Sequence, residues 1–214
     1  MKPHHLFAAC AVFSGLAWAG PSSQVAWTLD TLRQVERADP NKGKQLAATC
    51  EGCHAPTPGN AANPSLRGQL ATYLYKQIRD YQDGSRQNPV MAGMVAGLSA
   101  QDAADIAAYY SREPAPEWRK QMLIPDNIEQ LVGRGDGKRI LPPCQACHEA
   151  DGRGQKIDIP ALAAQRAAYL EQTLLAYKSG ERHNDLYSRM RSLTQQLSDE
   201  EIKQLARYYA GASE

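Results

Sequence analysis

Apolar positions recur at helical spacing in two stretches of the first half of the chain. Between Gln69 and Tyr81, the residues Leu70, Tyr73, Leu74, Gln77 and Ile78 share one helix face, and Asp83-Gly84 ends the run. Ser99-Ala100-Gln101-Asp102 has the form of a capping box, opening a second helix with Ile106, Ala107 and Tyr110 on one side. Shorter helices are predicted over Lys42 to Thr49 and around Leu29 to Arg37. Between the long helices lie two polar or Gly/Pro-rich loops, Ala55 to Ser65 and the stretch carrying Met91 and Met94.

The same order of elements returns in the second half. Pro64 to Gln69 corresponds to Pro160 to Gln165, Tyr73-Leu74 to Tyr169-Leu170, and Tyr81 and Gly84 to Tyr177 and Gly180. Leu98-Ser99 corresponds to Leu197-Ser198, and Tyr109-Tyr110 to Tyr208-Tyr209, while Ser198 to Glu201 repeats the capping box. Ser111 to Asp126, with Pro114, Pro116 and Pro125, reads as a linker whose Trp118 packs on one of the units. The second unit opens with a short helix, Ile128 to Val132, then Gly133, Gly135 and Gly137. The expected architecture is all-α: an N-terminal extension (20–40), a first domain (41–112), the linker (113–126) and a second domain (127–214).

At the start of each unit stands one five-residue motif, Cys50-Glu51-Gly52-Cys53-His54 and Cys144-Gln145-Ala146-Cys147-His148. Cys-x-x-Cys alone also suits half a zinc site or a thiol redox pair. With histidine directly after the second thiol, and with two copies, it is the attachment signature of c-type haem. Two thiols at this spacing reach the two vinyl groups on one porphyrin edge, and the histidine lies under the iron as proximal ligand.

Composition supports that reading. Hydrophobic residues make up 43% of the 214 positions but aromatic residues only 7%, little bulk for two separate cores. A haem in each half supplies the missing apolar volume. Met1 to Ala19 has the form of a secretory signal: Lys2, an apolar run from Leu6 to Leu16 too short to span a membrane, and Ala17-Trp18-Ala19 as cleavage site. The four cysteines beyond it are all used by the motifs, which leaves none for a disulfide. The formal net charge is +1, with no basic stripe for nucleic acid. Attachment of c-type haem on the outer side of the inner membrane makes the periplasm the expected compartment, with room for loose association with the membrane.

A second axial ligand closes an iron to external molecules, so its identity separates a carrier from an enzyme. Met190 is the only methionine after His148; His183 is its rival. In the first unit, counting forward from Tyr81 favours Met94, whereas counting back from the closing helix favours Met91, since Met91 to Leu98 and Met190 to Leu197 have equal spacing. A ligand must stand at fixed distance from the helix closing its pocket, which favours Met91. Pro64 and Pro160 are placed to offer a backbone carbonyl to each proximal imidazole.

Together these motifs resemble the cytochrome c4 family of dihaem class I c-type cytochromes. The likeness is carried by Cys50 to His54, Pro64 to Gln77, Met91-Ala92-Gly93-Met94 and Leu98 to Tyr110. In the second half it is carried by Pro143 to His148, Pro160 to Leu170 and Met190 through Leu197. It implies two class I cytochrome c folds related by a pseudo-twofold axis. It also implies two covalent haems on Cys50/Cys53 and Cys144/Cys147, with iron held by His54/Met91 and His148/Met190. In the family, the first methionine of Met-x-Gly-Met is the ligand. Ala55-Pro56-Thr57 departs from the family's usual Gly-Pro-Asp-Gly run, and the segment before Asn41 is longer than usual. The implied role is a periplasmic electron carrier with no catalytic residues. Its donor would be a quinol-oxidising complex or a periplasmic dehydrogenase, its acceptor a terminal oxidase. The alternatives are a haem subunit of a dehydrogenase complex and a dihaem enzyme such as a peroxidase or thiosulfate dehydrogenase.

Overall fold

The computed structural model describes residues 21–55, 62–119, 121, 123–155 and 157–211; the expected secretory signal lies outside them. Eleven α-helices are assigned among the described residues, with two short 3-10 turns and two isolated β-bridges. The first half holds α1 (Leu29–Glu36), α2 (Pro40–Leu46), α3 (Glu51–His54), α4 (Ala71–Asp83), α5 (Pro89–Val95) and α6 (Ala100–Arg112). The second holds α7 (Asp126–Gly133), α8 (Gln145–His148), α9 (Ala167–Ser179), α10 (Arg189–Thr194) and α11 (Asp199–Ala210).

Local chemistry explains where these helices begin and end. Ser99 and Ser198 each accept from the backbone three residues on, and Asp102 and Glu201 return the bond, so both expected capping boxes form. Gly84 and Gly180 end α4 and α9 in the left-handed region, at φ 81° each, where a side chain is disfavoured. The stretches carrying the methionines differ from expectation: they are short helices, not loops. In the first half the cause is plain, since Asn88 caps the Met91 N–H and Pro89 occupies the first turn.

The two halves build separate cores. In the first, α2 crosses α6 at Gly43, where an added Cβ would lie 1.9 Å from the Asp105 carbonyl oxygen. Around the crossing pack Ala47, Ala103, Ala104, Ile106 and Ala107, with Leu74 and Tyr75 from α4. The second core gathers Ile128, Leu131 and Val132 from α7, Leu170 from α9, and Leu205, Ala206 and Tyr209 from α11. Gly68 and Ala164 occupy matching left-handed positions, and their N–H groups donate to Tyr110 and Tyr209 in the closing helices. Trp118 packs on the second half: its indole N–H donates to the Tyr208 carbonyl and its ring lies 5.9 Å from that of Tyr208.

Candidate haem sites

Each Cys-x-x-Cys-His motif folds into a single helical turn, α3 or α8, with its histidine 8% exposed. His54 and His148 have Nδ1 2.9 Å from the carbonyl oxygens of Pro64 and Pro160. That contact places the proton on Nδ1 and leaves Nε2 as an electron-pair donor. Burial holds both imidazoles below their usual pKa, partly offset by these carbonyls, so both are neutral and fit to bind a metal near pH 7. Burial likewise pushes the Cys144 thiol up to about 11 and raises that of Cys50.

All four cysteines, both histidines, and Met91, Met94 and Met190 line one continuous cavity of about 1020 Å³, shared by the two halves. Its walls include Leu74, Ile78, Leu98 and Ile106 on one side and Leu170, Leu174, Leu193 and Leu197 on the other. Met94 is 48% exposed, whereas Met91 is only partly so. Four residues beyond Met91 and Met190 stand Val95 and Thr194, both buried, so the two methionines occupy matching places in their short helices. Thr194 donates its hydroxyl to the Met190 carbonyl. His183 has Nδ1 3.3 Å from the Glu181 carbonyl oxygen and is not among the described residues that line the cavity.

The floor between the halves is polar and follows the sequence repeat. Gln69 bonds the N–H and C=O of Ala161, and Gln165 bonds the N–H and C=O of Ser65, all at 2.8–2.9 Å. Ser65 and Ala161 correspond in the repeat, as do the two glutamines, so this is a pseudo-twofold contact. Arg86 lies over the Tyr81 ring and donates to Tyr169 of the other half; Arg182 lies over Tyr177 and donates to Tyr73. Sequence reasoning passed over these arginines and glutamines, although their places in the repeat mark them.

Both arginines line the cavity, and among the described residues neither has a carboxylate within salt-bridge distance. A guanidinium group buried without an anion, as that of Arg182 is, is costly. The two arginine charges offset the burial of the Tyr169 hydroxyl and bring it below its ordinary range. The cavity therefore suits an apolar ring system that brings its own carboxylates. A porphyrin with two propionates, held by thiols on one edge and an imidazole below, has that chemistry.

Comparison with known proteins settles the family. The cytochrome c family model matches residues 40–111 and 135–211. The chain belongs to the cytochrome c family. Cytochrome c4 of Thiocapsa roseopersicina is 35% identical over 182 residues, 82% of this chain and 94% of its own. The thiosulfate dehydrogenase electron acceptor of Stutzerimonas stutzeri is 32% identical over 195 residues, 90% of each chain. Reduced cytochrome c4 from Pseudomonas stutzeri superposes with a TM-score of 0.76 at 31% identity, over 81% of this chain and 98% of that one. This is a two-domain, all-helical cytochrome with two covalently bound c-type haems and a role in electron transfer. The expected fold class and cofactors hold. Among the described residues no helix is long and apolar enough to cross a membrane.

Proposed function

We propose that the protein is a periplasmic one-electron carrier, not an enzyme, with both irons closed by protein ligands. In this reading Cys50 and Cys53 hold the first haem and Cys144 and Cys147 the second. His54 and Met91 ligate the first iron, His148 and Met190 the second. The observation that carries the reading is the matched set of two thiols, a tethered neutral imidazole and a short-helix methionine in each half of one cavity.

Bound haem supplies reversible ferric–ferrous chemistry, with thioether sulfur favouring the ferrous state. The protein's own groups do the rest. The Pro64 and Pro160 carbonyls orient the imidazoles and raise their basicity. Asn88 fixes the helix that carries Met91, and Thr194 ties its own helix to the Met190 carbonyl. Apolar walls exclude water and limit rearrangement as charge changes.

As donor we favour a periplasmic dehydrogenase over a quinol-oxidising complex, with a terminal oxidase as acceptor. A relative that accepts electrons from thiosulfate dehydrogenase aligns with 90% of this chain, against 82% for the Thiocapsa cytochrome c4. Thiosulfate dehydrogenase should therefore reduce the protein faster than a quinol-oxidising complex does, in stopped-flow mixing.

The ligand assignment is tested with carbon monoxide and the ferrous holoprotein. The wild type should bind CO slowly at neutral pH. Met91→Ala and Met190→Ala should each open one haem, and Met94→Ala neither. Rapid binding by the wild type, or opening by Met94→Ala in place of Met91→Ala, would count against it.

A further inference from the structure

The two halves differ where the chain approaches each methionine. The stretch from Gly180 to Met190 is three residues longer than that from Gly84 to Met91. It contains two consecutive left-handed residues, Tyr187 at φ 58° and Ser188 at φ 54°. For a ring-bearing side chain that backbone is disfavoured, at a cost of about 1–3 kcal/mol. Burial does not offset it, because Tyr187 is 88% exposed. The turn is nevertheless locked. Buried Asp185 accepts from the Arg191 N–H at 3.0 Å and from its guanidinium at 2.7 Å, and the same guanidinium donates to the Ser188 hydroxyl. The counterpart of Tyr187, three residues before Met91, is Asn88, which caps α5 on ordinary extended backbone.

A second residue of the same half repeats this behaviour. Ile140 is left-handed at φ 56° and 87% exposed, although a β-branched residue tolerates that backbone least. Leu46, which stands four residues before Cys50 as Ile140 does before Cys144, packs on the first core. The Ile140 turn is held to the far end of α10, where the neighbouring Arg139 donates to the Gln196 carbonyl at 3.0 Å. Tyr187 and Arg189 stand at the near end of that helix and line the mouth of the cavity.

Arg189 and Lys138 are exposed, and among the described residues neither has a carboxylate within salt-bridge distance. Arg139, beside Lys138, is already taken by Asp136 and Glu201. The exposed carboxylates that open α11 are turned elsewhere: Asp199 takes Lys178, and Glu200 stands beside Asn127 of α7. In the first half the stretch from Gln87 to Gln101 carries no charged residue, and Val90 is the counterpart of Arg189.

Exposed apolar side chains on rigid, strained turns add nothing to the stability of the fold, and they become favourable where a partner covers them. Tyrosine and arginine are the side chains that most often anchor protein interfaces, and a cationic rim steers and selects an acidic surface. We infer that Ile140, Tyr187, Lys138 and Arg189 form a docking face on the second half for an acidic protein that exchanges electrons with the chain. The centre of the face is apolar, Ile140 and Tyr187, and its rim is cationic, Lys138 and Arg189. The uncharged stretch at the first mouth does not select that partner. A membrane is a poorer fit, since two separate apolar side chains bury little in lipid. The inference rests on the proposed carrier reading and names the kind of partner that the second mouth serves.

Two kinds of probe test it on the ferrous holoprotein. Hexacyanoferrate(III) is a small anion that takes one electron from a ferrous iron and becomes hexacyanoferrate(II). In stopped-flow mixing, one phase of wild-type oxidation should slow as salt is raised. Arg189→Glu and Lys138→Glu should each slow that phase about tenfold at low salt and remove its salt dependence. Lys44→Glu, the same charge change at the place in the first half that matches Lys138, should leave the phase unchanged. A glutamate–tyrosine copolymer should inhibit the wild-type phase more strongly than poly-L-glutamate does. Tyr187→Gly and Ile140→Gly should erase that difference without lowering the melting temperature, because glycine suits the left-handed backbone. A phase indifferent to both charge reversals, or a melting temperature lowered by both glycine variants, would overturn the docking face. So would a wild-type dimer in sedimentation that Tyr187→Gly dissolves, which assigns the face to a second copy. Wild-type binding to phosphatidylglycerol vesicles that Tyr187→Gly abolishes would overturn it in favour of a membrane. Carbon monoxide binding on the same samples keeps the two ideas apart. Closed irons with an indifferent phase sink the docking face alone, and rapid CO binding by the wild type sinks the ligand reading.

Discussion

Among single residues, Asp158 carries the clearest stability consequence. It lines the cavity with its side chain 16% exposed, and among the described residues the cation within salt-bridge distance, Lys76, lies 3.9 Å away and is already engaged by Asp80. Burial, with the Asp80 charge adding to it, pushes its carboxyl up to about 6, against the pull of Lys76. A folded-state pKa above the unfolded value means the group favours folding when protonated. That contribution is complete below about pH 4 and is lost as pH rises through about 6. Asp158→Asn should thus be more stable than wild type by about 1–3 kcal/mol near pH 7 and show no gain below pH 4. Denaturant melts of the holoprotein across that range check it; a gain that persists at low pH would count against it. His54 and His148 were legible as candidate ligands at this scale because their motif is contiguous. Their carbonyl partners were legible too, because Pro64 and Pro160 keep equivalent places in the repeat.

For the helices, the decisive contact is the crossing of α2 and α6. Backbone meets backbone there only because Gly43 has no side chain; a Cβ would stand 1.9 Å from the Asp105 oxygen. Relief would require one helix to move, and with it Leu74, Ala103 and Ile106 around the crossing. Gly43→Ala should cost about 3 kcal/mol by overpacking and lower the melting temperature of the holoprotein by several degrees. A neutral result would show that the helices separate without loss. Helix type and capping were readable from periodicity and from Ser99 and Ser198, since these depend on neighbours three or four residues away. The short helices bearing Met91 and Met190 were not. Gly93 interrupts the first run and polar Arg191 and Ser192 the second, so neither shows a helix face in sequence, and the second opens from two left-handed residues, Tyr187 and Ser188.

In the molecule as a whole, two glutamines join the halves. Each satisfies both backbone groups of a residue in the opposite half, and both side chains are 7% exposed. Removing one strands an N–H and a C=O, buried at Ser65 and half-buried at Ala161, a penalty of about 1–3 kcal/mol. Gln69→Ala and Gln165→Ala should destabilise to a similar extent, because the contact is pseudo-symmetric. The double variant should show larger dimensions by small-angle scattering. Unchanged dimensions and stability would mean that other contacts hold the domains together. From its sequence alone the chain determined two helical units, two haem motifs and a methionine at fixed distance from each closing helix. All of these are set by residues close together in the chain. Only the tertiary structure decided that the two halves share one cavity, that Arg86 and Arg182 exchange tyrosine partners between halves, and that Trp27 of the extension lines that cavity. A glutamine or an arginine is equally well satisfied by water. Nothing in its neighbours' pattern reveals that its partner is a residue far along the chain, brought close only when the two halves pack.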